Sequence, residues 1–465
     1  MLLHPKESWS GASEGDEARV GLQNDGRKAG VAMMLLLSVT LPTSWVVVGA
    51  VAFVLMAMHV LGGFFGPMPA YRITGAEDLP RNDSDDFLNL IESLADAKVN
   101  RTGMVEVLTN GDRFYPAALD AIRNARRSVD LEAYIFQKGE IGRLYVEAMA
   151  ERARAGVQVN LLVDAFGSMG ARGDFLRPLL DAGGKVARYN GLKWYRLLGL
   201  DNRTHRELLI VDGRIGFIGG AGVADQWYKG SGKAPQWRDT LVRVEGEAVP
   251  NLQATFAENW LSSSGELLVG DAYFPEIDCP RQVTSLVINS TPSAGGSTRA
   301  RVLFQLLLAS ARESISITTP YFLPDRSLMQ ELCHAIERGV RVRVLVPGRK
   351  SDHMLTRSTS RGGYGRLLHW GATVYEYLPA MIHAKILIVD RQWAVVGSTN
   401  FDNRSFGIND EVNMAMRDAA VAQRLESDME ADLRQAQRIT LEDWRHRGVT
   451  ERATELIGWV FERQQ

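Results

Sequence analysis

The sequence of 465 residues predicts an α/β protein in which two duplicated α/β/α sandwich lobes, each with a mixed, parallel-rich sheet, follow an N-terminal transmembrane segment. Three observations predict this architecture: an internal repeat, helices that alternate with apolar strands, and a long uncharged stretch near the N-terminus. The expected order is a polar tail at 1–28, a membrane anchor at 29–71, a charged and partly helical linker at 72–102, and lobes at 103–270 and 271–465.

The internal repeat relates residues 121–164 to residues 308–347. Each copy begins with a helix, continues with a strand (VDLEAYIF or ISITTPYF), and adds a second helix that ends in RAGV or ERGV. A continuous apolar strand follows in both copies, VQVNLLVD in the first and VRVRVLVP in the second. Because both copies run in the same order, we expect two lobes of one fold that together form a single body.

The N-terminal stretch from Ala29 to Tyr71 contains no Asp, Glu, Lys or Arg. Its part from Trp45 to Phe65 is long enough to cross a bilayer as a helix with a rise of about 1.5 Å per residue. A shorter apolar piece at 31–41 is separated from it by Pro42-Thr43-Ser44, so the anchor is either one long tilted span or a hairpin. A cleaved signal peptide is the alternative, but the apolar run exceeds a normal signal core.

Composition and charge narrow the possible functions. Lys and Arg number 53 and Asp and Glu number 55, which gives a net charge of −2. Nothing therefore draws the whole chain to a polyanion, and no nucleic-acid partner is expected. Cys279 and Cys333 show neither CxxC spacing nor a histidine partner, so neither a zinc site nor a disulfide framework is expected.

Each half of the chain carries the same pattern of polar residues. A histidine precedes an apolar strand and an aspartate, and six further residues lead to a glycine-containing turn, with another carboxylate downstream. The second half contains His383, Lys385, Asp390, Gly397, Ser398, Asn400 and Glu411. The first half contains, at matching spacing, His205, Glu207, Asp212, Gly219, Gly220 and Gly222, with Asp239 further on.

This pattern indicates phosphate chemistry. Alternation along a strand puts His383 and Lys385 on one face, so that an imidazole and an ammonium can point into the same cleft. A small turn at Gly397-Ser398 lets the backbone and a hydroxyl approach an anionic oxygen, and Asn400 adds an amide donor. Asp212 and Asp390 fall at strand ends, where a carboxylate is expected to tie a turn together.

The residues of both halves resemble the paired HKD motifs, HxK(x)4D(x)6GSxN, of the phospholipase D superfamily. The runs NGDRFYPAALDAIRNARRSV, YIF, WRDT and GSTNFDNRSF resemble the bacterial cardiolipin synthase branch of that superfamily. The resemblance covers residues 103–440 and implies two phospholipase D-like lobes. It also implies a metal-free phosphodiester transfer through a covalent phosphohistidine.

The resemblance assigns roles to individual residues. It implies that His205 attacks phosphorus and that His383 protonates the departing alcohol, although the two roles could be exchanged. It implies that Asp239 and Glu411 hydrogen-bond the far ring nitrogens. The candidate catalytic residues are His205, Asp212, Asp239, His383, Lys385, Asp390 and Glu411. The candidate phosphate-binding residues are Lys385, Ser398, Asn400 and Gly220.

The first motif departs from the family pattern at two positions. Glu207 stands where the pattern has lysine, and Gly222 stands where it has asparagine. A carboxylate at that place would repel phosphate unless it turns away or pairs with a cation. Arg203, Arg206 and Arg238 are close in sequence and could supply the missing charge. Two interpretations stay open, an active site with altered residues and a decayed half that serves only as a scaffold.

The resemblance and the apolar segment together predict a membrane-bound phosphatidyltransferase of the bacterial inner membrane. Phosphatidylglycerol is the expected phospholipid substrate, and the products would be cardiolipin and glycerol. No metal, no cofactor and no obligate protein partner are expected. The alternatives are a phospholipase D-type hydrolase, in which water is the acceptor, and a lipid-binding scaffold with an inactive first motif.

Overall fold

The structure is a computed structural model that describes residues 43–65, 71–191, 202–230, 232, 234–291, 298–448 and 451–452. The chain divides into two compact units, and the second begins at residue 64. In the first unit, helix α1 (Thr43–Phe65) exposes the apolar side chains of its described part, among them Trp45 and Phe53. No helix combines the length and the apolarity of a membrane span within the described residues. The structure therefore does not support the transmembrane segment expected at 29–71, of which residues 29–42 and 66–70 lie outside the described ranges.

The second unit contains all the strands that the structure describes. Its helices are α2 (Asp85–Leu94), α3 (Gly111–Asn124), α4 (Glu140–Arg154), α5 (Arg177–Asp181), α6 (Asp225–Tyr228), α7 (Val249–Ser264), α8 (Arg299–Ser310), α9 (Arg326–Glu337), α10 (Met354–Trp370), α11 (Asn403–Gly407), α12 (Ala419–Leu433) and α13 (Leu441–Arg445). Short 3-10 helices lie at Ala76–Asp78 and Gly173–Phe175. Its strands are β1 (Val99–Asn100), β2 (Gly103–Thr109), β3 (Ser128–Ala133), β4 (Gln158–Asp164), β5 (Lys185–Tyr189), β6 (Leu208–Val211), β7 (Ile215–Gly219), β8 (Thr240–Gly246), β9 (Thr284–Ser290), β10 (Ser314–Thr318), β11 (Arg341–Pro347), β12 (Thr373–Tyr377), β13 (Ile386–Val389), β14 (Trp393–Gly397), β15 (Glu411–Arg417) and β16 (Ala436–Ile439).

The two sheets repeat one topology. The first has the strand order β2-β8-β7-β6-β3-β4-β5, and the second contains the corresponding order β9-β15-β14-β13-β10-β11-β12, with β1 and β16 added at its edges. In each sheet, the two strands of the internal repeat and the strand after them run parallel, namely β3, β4 and β5 in the first sheet and β10, β11 and β12 in the second. The two strands that follow each motif histidine pair antiparallel. The two lobes of one fold expected from the repeat are therefore present.

The sheets are mixed, as expected, but the prediction that they are parallel-rich is wrong. In the first sheet only β3·β4 and β4·β5 pair in parallel, while the other neighbours are antiparallel. The physical reason is the tight turn after each motif strand. Asp212 and Gly213 adopt φ values of 55° and 61°, and Asp390 and Arg391 adopt 51° and 53°. Such left-handed residues reverse the chain within a hairpin, so the next strand must run antiparallel.

Residues 72–102, expected to be a linker, belong largely to the second lobe. Ser84 caps the N-terminus of helix α2, and its side chain accepts a hydrogen bond from the N–H of Phe87 at 3.2 Å. Phe87, Leu88 and Ile91 are fully buried in the core that α8 and β10 also form. Strand β1 pairs with β9, the neighbouring strand of the second sheet.

The two lobes share an apolar core. Strands β6, β7 and β8 of the first lobe and β13, β14 and β15 of the second contribute side chains to one buried cluster, which includes Ile210, Val242, Ile386 and Met414. Burying apolar side chains from both sheets removes a large area from water and fixes the relative position of the lobes. The ends of the motif strands are thereby held against each other.

Candidate active site

Two short backbone pairings between the lobes bring the motifs together. Thr204 pairs with Asp410, and the N–H of His205 donates to the carbonyl oxygen of Asp410 at 2.8 Å. In the same way Arg238 pairs with Ile382, and the N–H of His383 donates to the Arg238 carbonyl oxygen at 2.7 Å. Each histidine is thus placed beside the chain position that precedes a carboxylate of the other lobe.

The carboxylate partners are therefore exchanged between the lobes. Nδ1 of His205 lies 3.0 Å from Oε1 and 3.1 Å from Oε2 of Glu411, which is fully buried. Nδ1 of His383 lies 3.0 Å from Oδ2 of Asp239, which is also fully buried. A carboxylate beside Nδ1 fixes the orientation of each ring, and Nε2 of His383 lies 3.1 Å from Nζ of Lys385.

Ser398 holds Glu411 in place. Its hydroxyl donates a short hydrogen bond to Oε2 of Glu411, while its oxygen accepts from the N–H of Val412 at 3.0 Å. The single hydroxyl proton of Ser398 is donated to Glu411, and the expected contact of Ser398 with phosphate stays a prediction. Ser398 therefore contacts the carboxylate that meets His205.

Trp227 performs the matching task for Asp239, and the sequence pattern did not point to it. Its indole Nε1–H donates to Oδ2 of Asp239 at 3.0 Å, and the N–H of Thr240 donates to Oδ1 at 2.8 Å. The rings of Trp227 and Trp237 also lie against His383, with centroid distances of 5.2 and 5.7 Å. These aromatic rings enclose His383. Neither tryptophan belongs to the HKD pattern, so the motif spacing did not identify them.

Lys385 lies against His383, as alternation along the chain predicted. Its Nζ is 2.8 Å from Nδ1 of His383 and 2.8 Å from the His383 carbonyl oxygen. Burial lowers the pKa of Lys385 to about 8, although the carboxylates of Asp239 and Glu411 act in the opposite direction. Burial also lowers the pKa of His383, and the positive charge of Lys385 adds to that decrease.

Glu207 is buried and turns its carboxyl towards the backbone of the first lobe. Its Oε1 accepts a hydrogen bond from the N–H of Ile135 at 3.2 Å. Burial raises the pKa of Glu207 well above its usual value, and the neighbouring charge of Lys385 offsets this only in part. The side chain therefore keeps its proton to a higher pH than an exposed glutamate, and a protonated carboxyl does not repel phosphate.

Position 222 has no room for a side chain. A Cβ atom at Gly222 would lie 3.0 Å from Oε1 of Glu207 and 2.5 Å from the carbonyl oxygen of Ile135. A larger residue at position 222, such as the asparagine of the family pattern, therefore does not fit, chiefly because the backbone of Ile135 is too close. Of the three arginines considered as a replacement for the motif lysine, Arg206 pairs with Glu258 and Arg238 with Asp432.

Gly220 is a point of close approach between the lobes. A Cβ atom there would lie 2.9 Å from Oδ1 of Asp239, 2.9 Å from Cδ of Lys385 and 3.0 Å from the carbonyl oxygen of His383. Position 220 thus has no room for a side chain, because the residues of the site pack directly against it. The expected contact of Gly220 with phosphate stays a prediction.

Asp212 and Asp390 tie turns, as their positions at strand ends indicated, and their contacts differ from those of catalytic groups. The Asp212 carboxylate accepts hydrogen bonds from the N–H groups of Arg126, Arg127 and Ser128, at the start of β3. The Asp390 carboxylate accepts from the N–H groups of residues 312–314 and from the side-chain amide of Asn82. Backbone donors occupy the oxygens that proton transfer would need.

A cavity of about 450 Å³ opens beside His205. Asn400, expected to bind phosphate, lines it, and its Oδ1 has no hydrogen-bond partner among the described residues. Other side chains around the cavity come from both lobes and include Tyr134, Arg203, Tyr321, Asp352, Asp402 and Arg404. Arg203 is the one of the three arginines considered from the sequence that lines this cavity. In the described ranges, no three His, Cys, Asp or Glu side chains are grouped so that they could hold a metal ion.

Comparisons with known proteins agree with this geometry. The chain matches the family described as "Cardiolipin synthase, PLD-like domain" over residues 118–260 and 305–433. It is 34% identical over 393 residues to the probable cardiolipin synthase YwiE of Bacillus subtilis (strain 168), a match that covers 84% of this chain and 77% of that protein. It is 33% identical over 378 residues to the major cardiolipin synthase ClsA of the same strain, with coverage of 81% and 78%.

A solved structure shares the fold. The crystal structure of phosphatidylserine synthase from Haemophilus influenzae Rd KW20 matches with a TM-score of 0.62 and 14% sequence identity, and the match covers 80% of this chain and 99% of that one. At this identity the likeness establishes the arrangement of elements alone.

Proposed function

Because the chain belongs to the cardiolipin synthase, PLD-like domain family, we propose that it is a phosphatidyltransferase that joins two phosphatidylglycerol molecules into cardiolipin and releases glycerol. The relatives named as cardiolipin synthases support the substrate class. The observation that carries the proposal is the pair of imidazoles, each held on Nδ1 by a buried carboxylate of the opposite lobe. Two oriented imidazoles supply the nucleophile and the acid that a double displacement at phosphorus requires.

In the first half-reaction, Nε2 of His205 attacks the phosphorus of the donor phospholipid. The N–P bond forms as the bond from phosphorus to the glycerol oxygen breaks, and His383 gives its proton to that oxygen so that glycerol leaves as a neutral alcohol. Lys385 and Asn400 hold the nonbridging oxygens, where negative charge concentrates in the transition state. Glu411 stabilises the positive charge that develops on His205.

In the second half-reaction, a hydroxyl of the acceptor phosphatidylglycerol gives its proton to His383 and attacks phosphorus. The new O–P bond forms as the N–P bond breaks, which regenerates neutral His205 and protonated His383. Asp239 favours the imidazolium of His383, whereas burial and Lys385 oppose it. A phosphate anion beside Lys385 offsets the lysine charge, so substrate binding raises the pKa of His383 and favours the protonated acid.

We place this reaction at the bacterial inner membrane, because both proposed substrates are membrane lipids. Exposed apolar side chains support contact with lipid, since Phe166 and Met169 are more than half exposed and Phe166 borders the cavity beside His205. Aromatic and aliphatic side chains of this kind favour the interfacial region of a bilayer.

The test is to incubate purified protein with radiolabelled phosphatidylglycerol in detergent micelles. We expect cardiolipin and glycerol, unchanged turnover after chelation of metals, and loss of product in His383→Ala while lipid binding is retained. Acid-labile phosphate trapped on His205 supports the assigned roles, and phosphate on His383 reverses them. Phosphatidic acid as the main product would identify a hydrolase instead, and unaltered turnover in His383→Ala would contradict the mechanism.

A further inference from the structure

The two histidines of the site differ in access to solvent, although the motifs that carry them are duplicated. The side chain of His205 is 14% exposed and borders the cavity, whereas that of His383 is 7% exposed and is enclosed by Trp227 and Trp237. A ligand of the size of a lipid headgroup can therefore approach from the His205 side. The site has one open side, and the residues on that side decide what enters it.

Two arginines converge on this open side. Arg203 and Arg404 both line the cavity, and Arg203 lies over the ring of Phe166 with its Cζ 5.2 Å from the centroid. Burial raises the pKa of the Tyr134 hydroxyl, and the positive charges of Arg404 and Arg203 lower it in part. The Tyr134 ring meets the His205 ring edge to face at 5.3 Å between centroids. Arg203 and Arg404 therefore line the same cavity as His205.

The internal repeat shows that neither Arg203 nor Arg404 has a cationic counterpart at the equivalent position of the other lobe. Alignment of the motifs puts Arg203 opposite Met381, which is buried, and Arg404 opposite Gln226. The parallel pairings of Val223 with Phe136 and of Phe401 with Phe322 confirm this alignment in the structure. Cations that served the single reacting phosphate would lie between the two motifs, as Lys385 does. A pair found on one side only is suited to a second anion.

The cavity also contains two carboxylates, and both accept hydrogen bonds from the protein. Asp352 accepts from the hydroxyl of Tyr321 at 2.7 Å. Asp402 accepts from the N–H of Ser405 at 2.8 Å, at the start of α11. These contacts fix both carboxylates at the cavity wall. The arrangement leaves a mixed surface that can receive a phosphate and the hydroxyl groups of glycerol together.

We propose that Arg203 and Arg404 bind the phosphodiester of the acceptor phospholipid while its free glycerol hydroxyl reaches the phosphorus held by His205. The inference rests on the proposed function, because a phosphatidylglycerol acceptor carries its own phosphate three carbons from the attacking hydroxyl. Water and free glycerol lack that phosphate. A cationic subsite beside the nucleophile therefore selects a phospholipid acceptor over both of them.

The test compares two reactions that share donor and intermediate but differ in the acceptor. Micelles of phosphatidylglycerol report cardiolipin formation, and radiolabelled glycerol added to the same micelles reports exchange of the headgroup. In the double variant Arg203→Gln/Arg404→Gln we expect cardiolipin formation to fall at least about tenfold and exchange to stay within about twofold, since only the first acceptor carries a phosphate. The lysine variants at both positions should recover part of the loss, because they retain the charge.

Arg172→Gln is the matched control, because Arg172 is an exposed arginine outside the cavity lining and should leave both reactions unchanged. As a second measurement, glycerol 3-phosphate should inhibit cardiolipin formation by the native enzyme and should inhibit the lysine variants more than the glutamine variants. An equal fall of both reactions would assign the arginines to donor binding and overturn the subsite. Unchanged rates of both reactions would overturn it as well. A native enzyme that performs neither reaction would contradict the proposed function itself, and the acceptor subsite with it.

Discussion

We expect the alkaline pH dependence of the reaction to follow the protonation of Lys385. Because burial lowers the pKa of Lys385 to about 8, the site loses its ammonium as the pH rises through that value. We expect kcat/KM for cardiolipin formation to fall above about pH 8, approaching tenfold per pH unit, since this parameter reports the free enzyme. Lys385→Arg should lower the maximum but remove this alkaline decline, because arginine stays charged. An identical decline in the arginine variant would show that another group is responsible.

Glu207 should behave as a buried neutral group. Its raised pKa means that the unfolded chain releases a proton near the ordinary glutamate pKa while the folded chain still retains it, so this residue lowers stability as the pH rises above that value. Glu207→Gln should remove this loss and keep activity within about threefold. Glu207→Lys restores the motif residue but puts a second cation near Lys385, and should reduce the free energy of unfolding by about 3 kcal/mol. Urea unfolding at acid and alkaline pH tests both expectations, and a Glu207→Lys protein as stable as native would contradict them.

At the scale of elements, helix α2 is part of the second core. Phe87 is fully buried and meets the Trp393 ring edge to face at 6.0 Å between centroids. We expect Phe87→Ala to reduce the free energy of unfolding by about 3–5 kcal/mol through the lost contacts and the cavity left behind. Leu94→Ala on the same helix is the control, because Leu94 is 54% exposed. Equal effects of the two changes in urea unfolding would contradict the placement of α2.

The same helix shows what could be predicted of the elements. Phe87, Leu88 and Ile91 follow the spacing of an amphipathic helix, so its apolar face is readable from the sequence, but the lobe that receives this face is not. The repeat predicted the parallel strands β3, β4, β10 and β11. The antiparallel remainder of each sheet depends on the left-handed turns at Asp212 and Asp390, and aspartate adopts that conformation only in some contexts.

At the scale of the whole molecule, the exchanged carboxylates can be tested one histidine at a time. Asp239→Asn removes the negative charge beside His383 and should lower the pKa of that imidazole further, by about one to three pH units. Glu411→Gln should instead move the NMR signals of His205. Histidine resonances followed by NMR across a pH titration provide the measurement. A change at His205 in the Asp239→Asn protein, with His383 unaffected, would refute the exchange.

The sequence contains the residues of the site but not their pairing. The spacing of each motif identifies His205 and His383, and the resemblance to the phospholipase D superfamily points to Asp239 and Glu411. Which carboxylate meets which imidazole depends on how the two sheets pack, through a core assembled from distant strands. The raised pKa of Glu207 likewise depends on burial that only the assembled fold creates.

The exchange of Asp239 and Glu411 constrains how such a duplicated chain can vary. Each lobe supplies the carboxylate that orients the histidine of the other lobe. A substitution that removes this carboxylate from one lobe therefore affects the histidine of the other. Positions 207 and 222 could depart from the pattern because neither orients an imidazole. We therefore expect the site to accept changes at positions 207 and 222 but not at Asp239 and Glu411, whose carboxylates contact the histidine of the opposite lobe.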